Sequence, residues 1–291
     1  MSSTTLKCPI CAHSLQNDQK NLSCVNRHSF DQAKQGYFNL LMSNKKRSKS
    51  PGDNIEMVLA RQTFLNTGIY QPISEALNET CSQWITEHAS TLEDPIRILD
   101  LGCGEGYYTE RLYNALHPQS IELIGLDISK DAVRYAAKRN KQVTWLVASG
   151  AEIPVMPRSQ DLIVCLFTRL MPEGIAPALS RQGTLITVTT GKQHLIEMRE
   201  ILYPSIKDQV LDPQVPLASH FKLDQQQAFQ AKHTLTSSQQ IQDLLAMTPH
   251  QWRAPAVGRE KLLSLDSLTI TIDVNISCFS LKEDQISPES L

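Results

Sequence analysis

The stretch Leu99-Asp100-Leu101-Gly102-Cys103-Gly104-Glu105-Gly106 carries three glycines at alternate positions after an apolar run. The run at residues 97–101 predicts a strand, and the apolar spacing at residues 107–116 predicts a helix. Glycine lets the backbone approach a ligand closely and adopt a positive φ. The order of strand, glycine turn and helix therefore predicts a site for a nucleotide-like cofactor at this turn.

The strand that follows supplies an acidic residue. Residues 121–127 are mostly apolar and end in Asp127, 21 residues after Gly106. A carboxylate in this position accepts hydrogen bonds from both hydroxyls of a ribose. The alternative is a purely structural turn in which the acid caps the next helix. The complete order of strand, glycines, helix, strand and acid favours the cofactor site.

The acidic residues in the glycine turn bear on the kind of cofactor. A pyrophosphate favours a helix N-terminus free of negative charge, whereas this turn contains Asp100 and Glu105. Two carboxylates better suit a ligand with a sulfonium and an amino group. Residues 100–108 also resemble motif I of class I S-adenosylmethionine-dependent methyltransferases, in which Asp100 would face the methionine end of the cofactor.

The rest of the chain alternates predicted strands and helices. Two helices separated by a turn at residues 66–68 are predicted within residues 55–89. The later predicted elements are a helix at 130–140, strands at 142–148, 161–168 and 183–190, a helix at 194–202, an edge strand at 227–236, a helix at 238–247 and an antiparallel strand at 265–280. This pattern predicts an α/β fold of the class I, Rossmann-like kind, with a mostly parallel, doubly wound sheet.

A second motif lies near the N-terminus, where Cys8, Cys11, Cys24 and His28 form the pattern C-x2-C-x12-C-x3-H. Three thiolates and an imidazole suit tetrahedral Zn²⁺ and few other common ions. Four protein ligands leave no open position on the metal, so the zinc is predicted to be structural. A segment of about 40 residues rarely folds on its own apolar core, and a small zinc-binding module is the expected solution.

The charge is distributed unevenly. Residues 1–50 hold eight basic and two acidic side chains, a net charge of +6, whereas the other 241 residues hold 20 basic and 28 acidic ones. A basic end on an otherwise acidic protein attracts a polyanion to one place. Residues 42–54 are polar, basic and contain Pro51-Gly52, so they are predicted to form a basic linker. A solvated linker without a ligand is the alternative.

The remaining cysteines and the apolar segments bear on the compartment. Cys81, Cys103, Cys165 and Cys278 are scattered among apolar residues and are predicted to be buried free thiols. The N-terminus has no apolar signal core, and no apolar run reaches 18 residues. A cytoplasmic protein with no membrane association is expected.

Several segments together resemble one known family. From residue 8 to about residue 150 they are Cys8-Pro9-Ile10-Cys11, residues 24–28 with Phe30-Asp31, Gly36-Tyr37-x-Asn39-Leu40-Leu41, Pro51-Gly52-Asp53, Ala60-Arg61-x3-Leu65, Gly68-x-Tyr70-x-Pro72 and the glycine turn. Weaker matches follow at Thr189-x-Gly191-x2-His194-Leu195 and Met247-Thr248-Pro249-x2-Trp252-Arg253. These segments resemble the bacterial 23S rRNA guanine-N1 methyltransferases.

The resemblance implies methylation of one guanine at N1 in a 23S rRNA hairpin, with S-adenosylmethionine as the cofactor and the guanine unpaired or flipped out. It also implies a zinc-binding module at 1–41 that helps to recognise RNA, a methyltransferase domain at 55–291 and a homodimer. The implied cofactor-binding residues are Tyr70, Asp100, Gly102, Cys103, Gly104, Glu105, Gly106, Tyr107, Asp127 and His194.

The chain departs from the family after its fourth predicted strand. The family usually carries Ile-x-x-Pro or a similar segment beside the target base, whereas residues 165–172 here are Cys-Leu-Phe-Thr-Arg-Leu-Met-Pro. Guanine N1 carries a proton at neutral pH, so the reaction needs a base or a group that stabilises O6. Arg169 is the candidate for the second role, and a surface ion pair is its alternative.

Two other functions stay open on sequence alone. The altered segment at 165–172 is consistent with an RNA-binding homologue that has weak or no catalysis. A small-molecule methyltransferase that uses its zinc module to dimerise is the other alternative. The basic N-terminal part argues against the latter, because small substrates need no polyanion-binding surface.

Overall fold

The computed structural model describes residues 2–18, 20–42, 51–206 and 212–283, which form an antiparallel four-stranded sheet and a mixed eight-stranded sheet. The strands are β1 (Ser2–Lys7), β2 (Ser14–Asp18), β3 (Asn21–Ser23), β4 (Ser29–Asp31), β5 (Tyr37–Asn39), β6 (Ile96–Leu101), β7 (Ile121–Asp127), β8 (Thr144–Val147), β9 (Gln160–Leu166), β10 (Leu179–Thr190), β11 (Phe221–Leu235) and β12 (Leu268–Leu281). The helices are α1 (Ile55–Asn66), α2 (Gln71–His88), α3 (Tyr107–Leu116), α4 (Lys130–Arg139), α5 (Pro172–Ala178), α6 (Ile196–Leu202), α7 (Gln214–Leu217), α8 (Ser238–Ala246), α9 (His250–Arg253) and α10 (Ala256–Leu263).

The large sheet has the strand order β11-β12-β10-β9-β6-β7-β8-β5. All neighbours from β10 to β5 are parallel, whereas β12 pairs with β10, and β11 with β12, in antiparallel fashion. Most side chains of β6, β7 and β9 are buried, as expected for parallel strands covered on both faces. The predicted class I, mostly parallel α/β fold is confirmed, and the predicted edge and antiparallel strands are β11 and β12.

The two faces of the large sheet are covered differently. Ile98 and Leu162 point into a core formed with helices α1 to α4, α6, α8 and α10. Their neighbours Leu99 and Ile163 point into a second core, which includes α5. That second core also contains apolar side chains of the N-terminal sheet, which are Leu6, Leu15 and Leu22. The small sheet and the large sheet therefore share one apolar core and pack as a single unit.

Strand β5 links the two parts of the chain. It lies within the range predicted for the zinc-binding module, yet it pairs in parallel with β8 at one edge of the large sheet. The pairing is extended by Leu40, whose N–H donates to the carbonyl of Val147 at 2.9 Å. Residues 43–50 of the predicted basic linker lie outside the described residues.

Polar side chains cap the N-termini of α1 and α4. The Asn54 side chain accepts a hydrogen bond from the Met57 N–H at 3.0 Å at the start of α1. The Ser129 hydroxyl accepts one from the Ala132 N–H at 3.2 Å at the start of α4. Such caps satisfy N–H groups that have no partner within the helix.

The structure differs from the predicted elements mainly in short or interrupted segments. Helix α5 was not predicted, because its sequence contains Gly174 and Pro177, which disfavour helices. Strand β10 begins at Leu179, before the predicted start at residue 183, and β11 begins at Phe221, before residue 227. Across the described part of the chain, no helix is both long enough and apolar enough to cross a bilayer.

Candidate active site and metal centre

The four predicted metal ligands, Cys8, Cys11, Cys24 and His28, lie together, with ligand atoms all within 4.8 Å of one another. His28 Nδ1 is 3.6 Å from Cys8 Sγ and 3.4 Å from Cys24 Sγ. Cys11 Sγ is 3.6 Å from Cys24 Sγ. Tetrahedral zinc with bonds of about 2.0–2.3 Å separates its ligand atoms by about 3.5–3.8 Å, so these four side chains fit structural zinc.

Each half of this site is a tight turn that presents its ligands. The Ala12 N–H donates to the Cys8 carbonyl, and the Arg27 N–H donates to the Cys24 carbonyl, both at 2.9 Å. Ala12 and Arg27 both have a positive φ, of 61° and 62°. The backbone N–H of His13 lowers the pKa of the Cys11 thiol to about 5, which favours the thiolate that binds zinc.

A cavity of about 600 Å³ opens at the carboxyl ends of β6, β7, β9 and β10. In an open α/β sheet, ligands bind at the carboxyl ends of the strands. The cavity is lined by Gly102 and the three residues that follow it in the glycine turn. Its other walls come from α1, α3, the end of β9, the turn before α6 and the turn after α8. The glycine turn thus faces an open space, as the sequence predicts.

The glycines are required by backbone shape and by close packing. Gly102, Gly104 and Gly106 have φ values of 82°, 56° and 86°. A Cβ at Gly102 would lie 2.6 Å from Thr168 Oγ1, and one at Gly106 would lie 2.9 Å from the Ala136 Cβ. Any other residue at these two positions would push the wall after β9 or helix α4 away from the turn.

Asp127 lies at the end of β7, on the wall of the cavity. One carboxylate oxygen accepts the Gly104 N–H at 3.0 Å, and the other accepts the Ser129 N–H at 2.7 Å. Burial raises the pKa of this carboxyl, and the two N–H donors act in the opposite direction. Each oxygen can accept a further hydrogen bond, so the oriented carboxylate can hold two vicinal hydroxyls.

Asp100 lies at the end of β6 and is only 2% exposed. Its Oδ2 accepts a hydrogen bond from the Thr109 hydroxyl at 2.6 Å, whereas its Oδ1 is buried and has no hydrogen-bond partner among the residues that the structure describes. Burial raises the pKa of this carboxyl to about 7. An unpartnered buried carboxylate oxygen is costly, and a cationic ligand group in the cavity would relieve that cost.

Glu105 has a different role from the other two predicted acids, Asp100 and Asp127. Its carboxylate is 1% exposed and lies 2.5 Å from Arg139 Nε. Arg139 also lies 3.5 Å from Glu110 and joins α4 to the start of α3. Glu105 lines the cavity, but its charge is already balanced by this ion pair. Cys103 and Tyr107, also predicted at the cofactor, are both buried and line the cavity.

Tyr70 and His194 meet on another wall of the cavity. Tyr70 Oη lies 3.3 Å from His194 Nε2. His194 Nδ1 accepts the Asp273 N–H at 3.2 Å. Removal of the His194 ring from water lowers its pKa to about 4, so the ring is neutral at pH 7 and its proton is on Nε2, which donates to Tyr70. Tyr70 therefore keeps its own hydroxyl proton available for a ligand.

These residues fit S-adenosylmethionine. The unpartnered Oδ1 of Asp100 suits the amino group of the methionine part, and the oriented carboxylate of Asp127 suits the ribose hydroxyls. The glycine turn between them leaves room for the ligand because no Cβ is present. All of the predicted cofactor-binding residues except Gly106 line the cavity. Their role in binding the cofactor stays a prediction.

The structure also places residues at the cavity that sequence analysis did not select. Asp53, Arg61, Phe167 and His250 all line it. Two of them, Asp53 and Arg61, lie in segments on which the family resemblance rests, and this was the available signal. By contrast Arg169, the predicted catalytic candidate, is exposed and lies outside the cavity lining.

The chain matches two family models. Residues 6–49 match the zinc ribbon described as "RlmA, N-terminal", and residues 98–182 match a "Methyltransferase domain". These matches cover the Cys/His cluster and the glycine turn. They agree with structural zinc and S-adenosylmethionine as the metal and cofactor of this protein.

Relatives match over most of the chain. A Bacillus subtilis (strain 168) protein named "Putative 23S rRNA (guanine-N(1)-)-methyltransferase YxjB" is 30% identical, over 93% of this chain and 95% of its own length. A Streptomyces fradiae protein named "23S rRNA (guanine(748)-N(1))-methyltransferase" is 33% identical, over 68% of this chain and 67% of its own length. A solved structure, the YcgJ protein of Bacillus subtilis, covers 70% of this chain and 99% of its own, with 15% identity and a TM-score of 0.41.

The zinc ribbon, the cofactor cavity and the near full-length match to the Bacillus subtilis relative agree with one another. The chain is a methyltransferase, and it belongs to the family of the 23S rRNA (guanine-N1)-methyltransferases.

Proposed function

We propose that this protein transfers the methyl group of S-adenosylmethionine to N1 of one guanine in a hairpin of 23S rRNA. The observation that carries the proposal is the packing of a zinc ribbon onto the same sheet that forms the cofactor cavity. Relatives named for this reaction match the chain across both parts. A polyanionic substrate also agrees with the net charge of +6 over residues 1–50.

The reaction sets clear tasks for the protein. When bound, the cofactor supplies an electrophilic methyl group. The protein must hold N1 of the guanine in line with that group and accept or release the N1 proton. Because N1 lies on the pairing edge of guanine, the base must be unpaired or flipped out of its helix before it enters the cavity.

Phe167 supports the entry of such a base. It follows β9, lines the cavity and is 42% exposed, although it is a large apolar residue. Its φ of 51° is unusual for a bulky side chain, and its N–H is held by the Val188 carbonyl at 3.0 Å. The ring centroid lies 6.3 Å from that of Tyr108 and 6.2 Å from that of His194. An exposed ring held in this way offers a face on which a purine can stack.

The Tyr70–His194 pair supplies a donor. Since His194 is neutral at pH 7 and donates its Nε2 proton, it is unsuited to accept the N1 proton of guanine. The Tyr70 hydroxyl can instead donate to an oxygen of the bound ligand. Stabilisation of O6 by Arg169 stays a prediction; it requires that this exposed side chain turns towards the cavity when RNA binds.

The test is methyl transfer from labelled S-adenosylmethionine to unmodified 23S rRNA and to its isolated hairpins, followed by digestion and mass identification of the nucleoside. We expect 1-methylguanosine in 23S rRNA and in one hairpin. Binding of cofactor and RNA without transfer would instead support the RNA-binding homologue. Transfer only to small acceptors would support the small-molecule methyltransferase. The homodimer also stays a proposal, which sedimentation analysis tests.

A further inference from the structure

A short segment before α1 covers one end of the cofactor cavity. We call residues 51–54 the strap. Gly52 and Asp53 line the cavity, and Gly52 has a φ of 84°. A Cβ at Gly52 would lie 2.8 Å from Ser129 Cβ, and the Ser129 hydroxyl donates to the Asp53 carbonyl at 2.7 Å. The strap is therefore packed against the start of α4, directly after the carboxylate of Asp127.

Arg61 of α1 joins the strap to the other walls of the cavity. Its Nη1 forms an ion pair with the Asp53 carboxylate, and its Nη2 donates to the Met247 carbonyl at 3.2 Å. A Cβ at Gly104 would lie 3.7 Å from Arg61 Nη1, so the guanidinium also lies over the glycine turn. One side chain thus contacts three separate segments that border the cavity.

The positive charge of Arg61 affects the pKa values of two carboxyl groups that line the cavity, Asp127 and Glu105. Burial raises the pKa of Asp127 and of Glu105, and the nearby Arg61 charge acts in the opposite direction on both. Glu105 has Arg139 as its ion-pair partner, whereas Asp127 is held by backbone N–H groups. The Asp53 carboxylate, which pairs with Arg61, raises the pKa of Asp127 and opposes the effect of the Arg61 charge. Arg61 therefore acts on this end of the cavity mainly through its contacts.

We propose that Arg61 is a positioning residue for the nucleoside half of S-adenosylmethionine, and that it acts by holding the strap, the glycine turn and the segment at Met247 around that half. The proposal rests on the cofactor assignment made above. The strap contacts Ser129 and lies beside Asp127, at the ribose end. Asp100, which suits the amino group, lies at the end of a different strand, β6. The two halves of the cofactor can therefore be tested separately.

The test compares two ligands by calorimetry. S-adenosylhomocysteine carries both halves of the cofactor, and 5′-methylthioadenosine carries the nucleoside without the amino acid. We expect Arg61→Ala to weaken both ligands by the same factor, about tenfold. Arg61→Lys keeps the charge but cannot contact the Asp53 carboxylate and the Met247 carbonyl in the same way, so it should lose part of that affinity. Asp100→Asn should weaken S-adenosylhomocysteine alone.

Arg97→Ala is the matched control. The Arg97 side chain is 27% exposed, against 26% for Arg61, and it pairs with Glu93 at 3.6 Å. It lies near the start of β6, at the end of the strands opposite the cavity, and should leave both affinities unchanged. Melting temperatures and zinc content without ligand show whether each variant is folded, and Arg61→Lys carries the test if Arg61→Ala is unfolded.

Unchanged affinity of both ligands in a folded Arg61 variant would overturn the proposal, as would a loss confined to S-adenosylhomocysteine. Failure of the native protein to bind either ligand would overturn the cofactor assignment and this proposal with it. Equal losses for the two ligands, with Arg97→Ala unchanged, support the role of Arg61.

Discussion

Tyr70 Oη lies 3.3 Å from His194 Nε2, although 124 positions separate the two residues in the chain. Tyr70 precedes α2, and His194 lies in the turn that follows β10. The backbone N–H of Asp273 fixes which nitrogen of the imidazole carries the proton. The pair therefore presents a hydroxyl donor to the cavity, and its protonation state determines part of the pH response of the protein.

Replacement of His194 by Gln should flatten the dependence of stability on acid pH. The folded-state pKa of about 4 lies below the value of about 6.5 for an unfolded histidine, so the unfolded chain takes up the proton first. The native protein should lose about 2–3 kcal/mol through this group as the pH falls from 6.5 to 4. Calorimetric melting across that range should show a smaller loss for His194→Gln. His117→Gln, on an exposed residue, is the control, and equal slopes for native and His194→Gln would contradict the assignment.

Asp100 should make the affinity for the cofactor depend on pH around and below pH 7. Its folded-state pKa of about 7 means that the carboxyl becomes protonated as the pH falls below 7 and can no longer pair with an amino group. Affinity for S-adenosylhomocysteine should fall by up to about tenfold per pH unit below pH 7. Calorimetry at pH 8, 7 and 6 measures this change, and 5′-methylthioadenosine should not show it.

Asp100→Asn should also raise the melting temperature of the ligand-free protein at pH 8. The raised pKa shows that the buried charge costs stability above pH 7, and that this cost disappears as the pH falls towards the unfolded value of about 3.9. The gain should therefore be absent at pH 4. A variant that is less stable than the native protein at pH 8 would contradict this account of Asp100.

Phe167 should contribute to methyl transfer and not to cofactor binding. We expect Phe167→Ala to lower kcat/KM for RNA by about tenfold or more through lost stacking, with unchanged affinity for S-adenosylhomocysteine. Because φ at this position is 51°, Phe167→Gly should be about 1 kcal/mol more stable than Phe167→Ala, yet equally impaired. Leu59→Ala, on a side chain with the same 42% exposure, is the control. Normal transfer by Phe167→Ala would exclude the stacking role.

Loss of a zinc ligand should separate RNA binding from cofactor binding. Cys11→Ser should remove bound zinc, unfold the small sheet and weaken binding to 23S rRNA, because structural zinc supplies folding free energy. Affinity for S-adenosylhomocysteine should change little, since the cavity is formed at the carboxyl ends of strands in the large sheet. Metal analysis and RNA titration measure these effects, with Cys278→Ser as the control. Unchanged RNA affinity after loss of zinc would show that the ribbon does not recognise RNA.

The prediction of a mostly parallel α/β sheet was possible because its evidence is local. Helix α3 was predicted at residues 107–116 and is observed at Tyr107–Leu116, since one run of sequence contains the strand, the glycines and the helix that follows. The metal ligands Cys8, Cys11, Cys24 and His28 could be grouped for the same reason, as they lie within 21 residues. Helix α5 was missed because Gly174 and Pro177 oppose helix formation locally and packing overrides them.

The sequence by itself determined the strand–glycine–helix turn, the acid that ends β7 and the spacing of the zinc ligands, because each depends on neighbours along the chain. Only the tertiary structure decided that β5 joins the large sheet, that Arg61 contacts the Met247 carbonyl and that Tyr70 meets His194. It also showed that Oδ1 of Asp100 has no hydrogen-bond partner in the described part of the chain. The strand pairing and the two side-chain contacts depend on strand order and join segments more than 100 residues apart, for which local periodicity carries no signal.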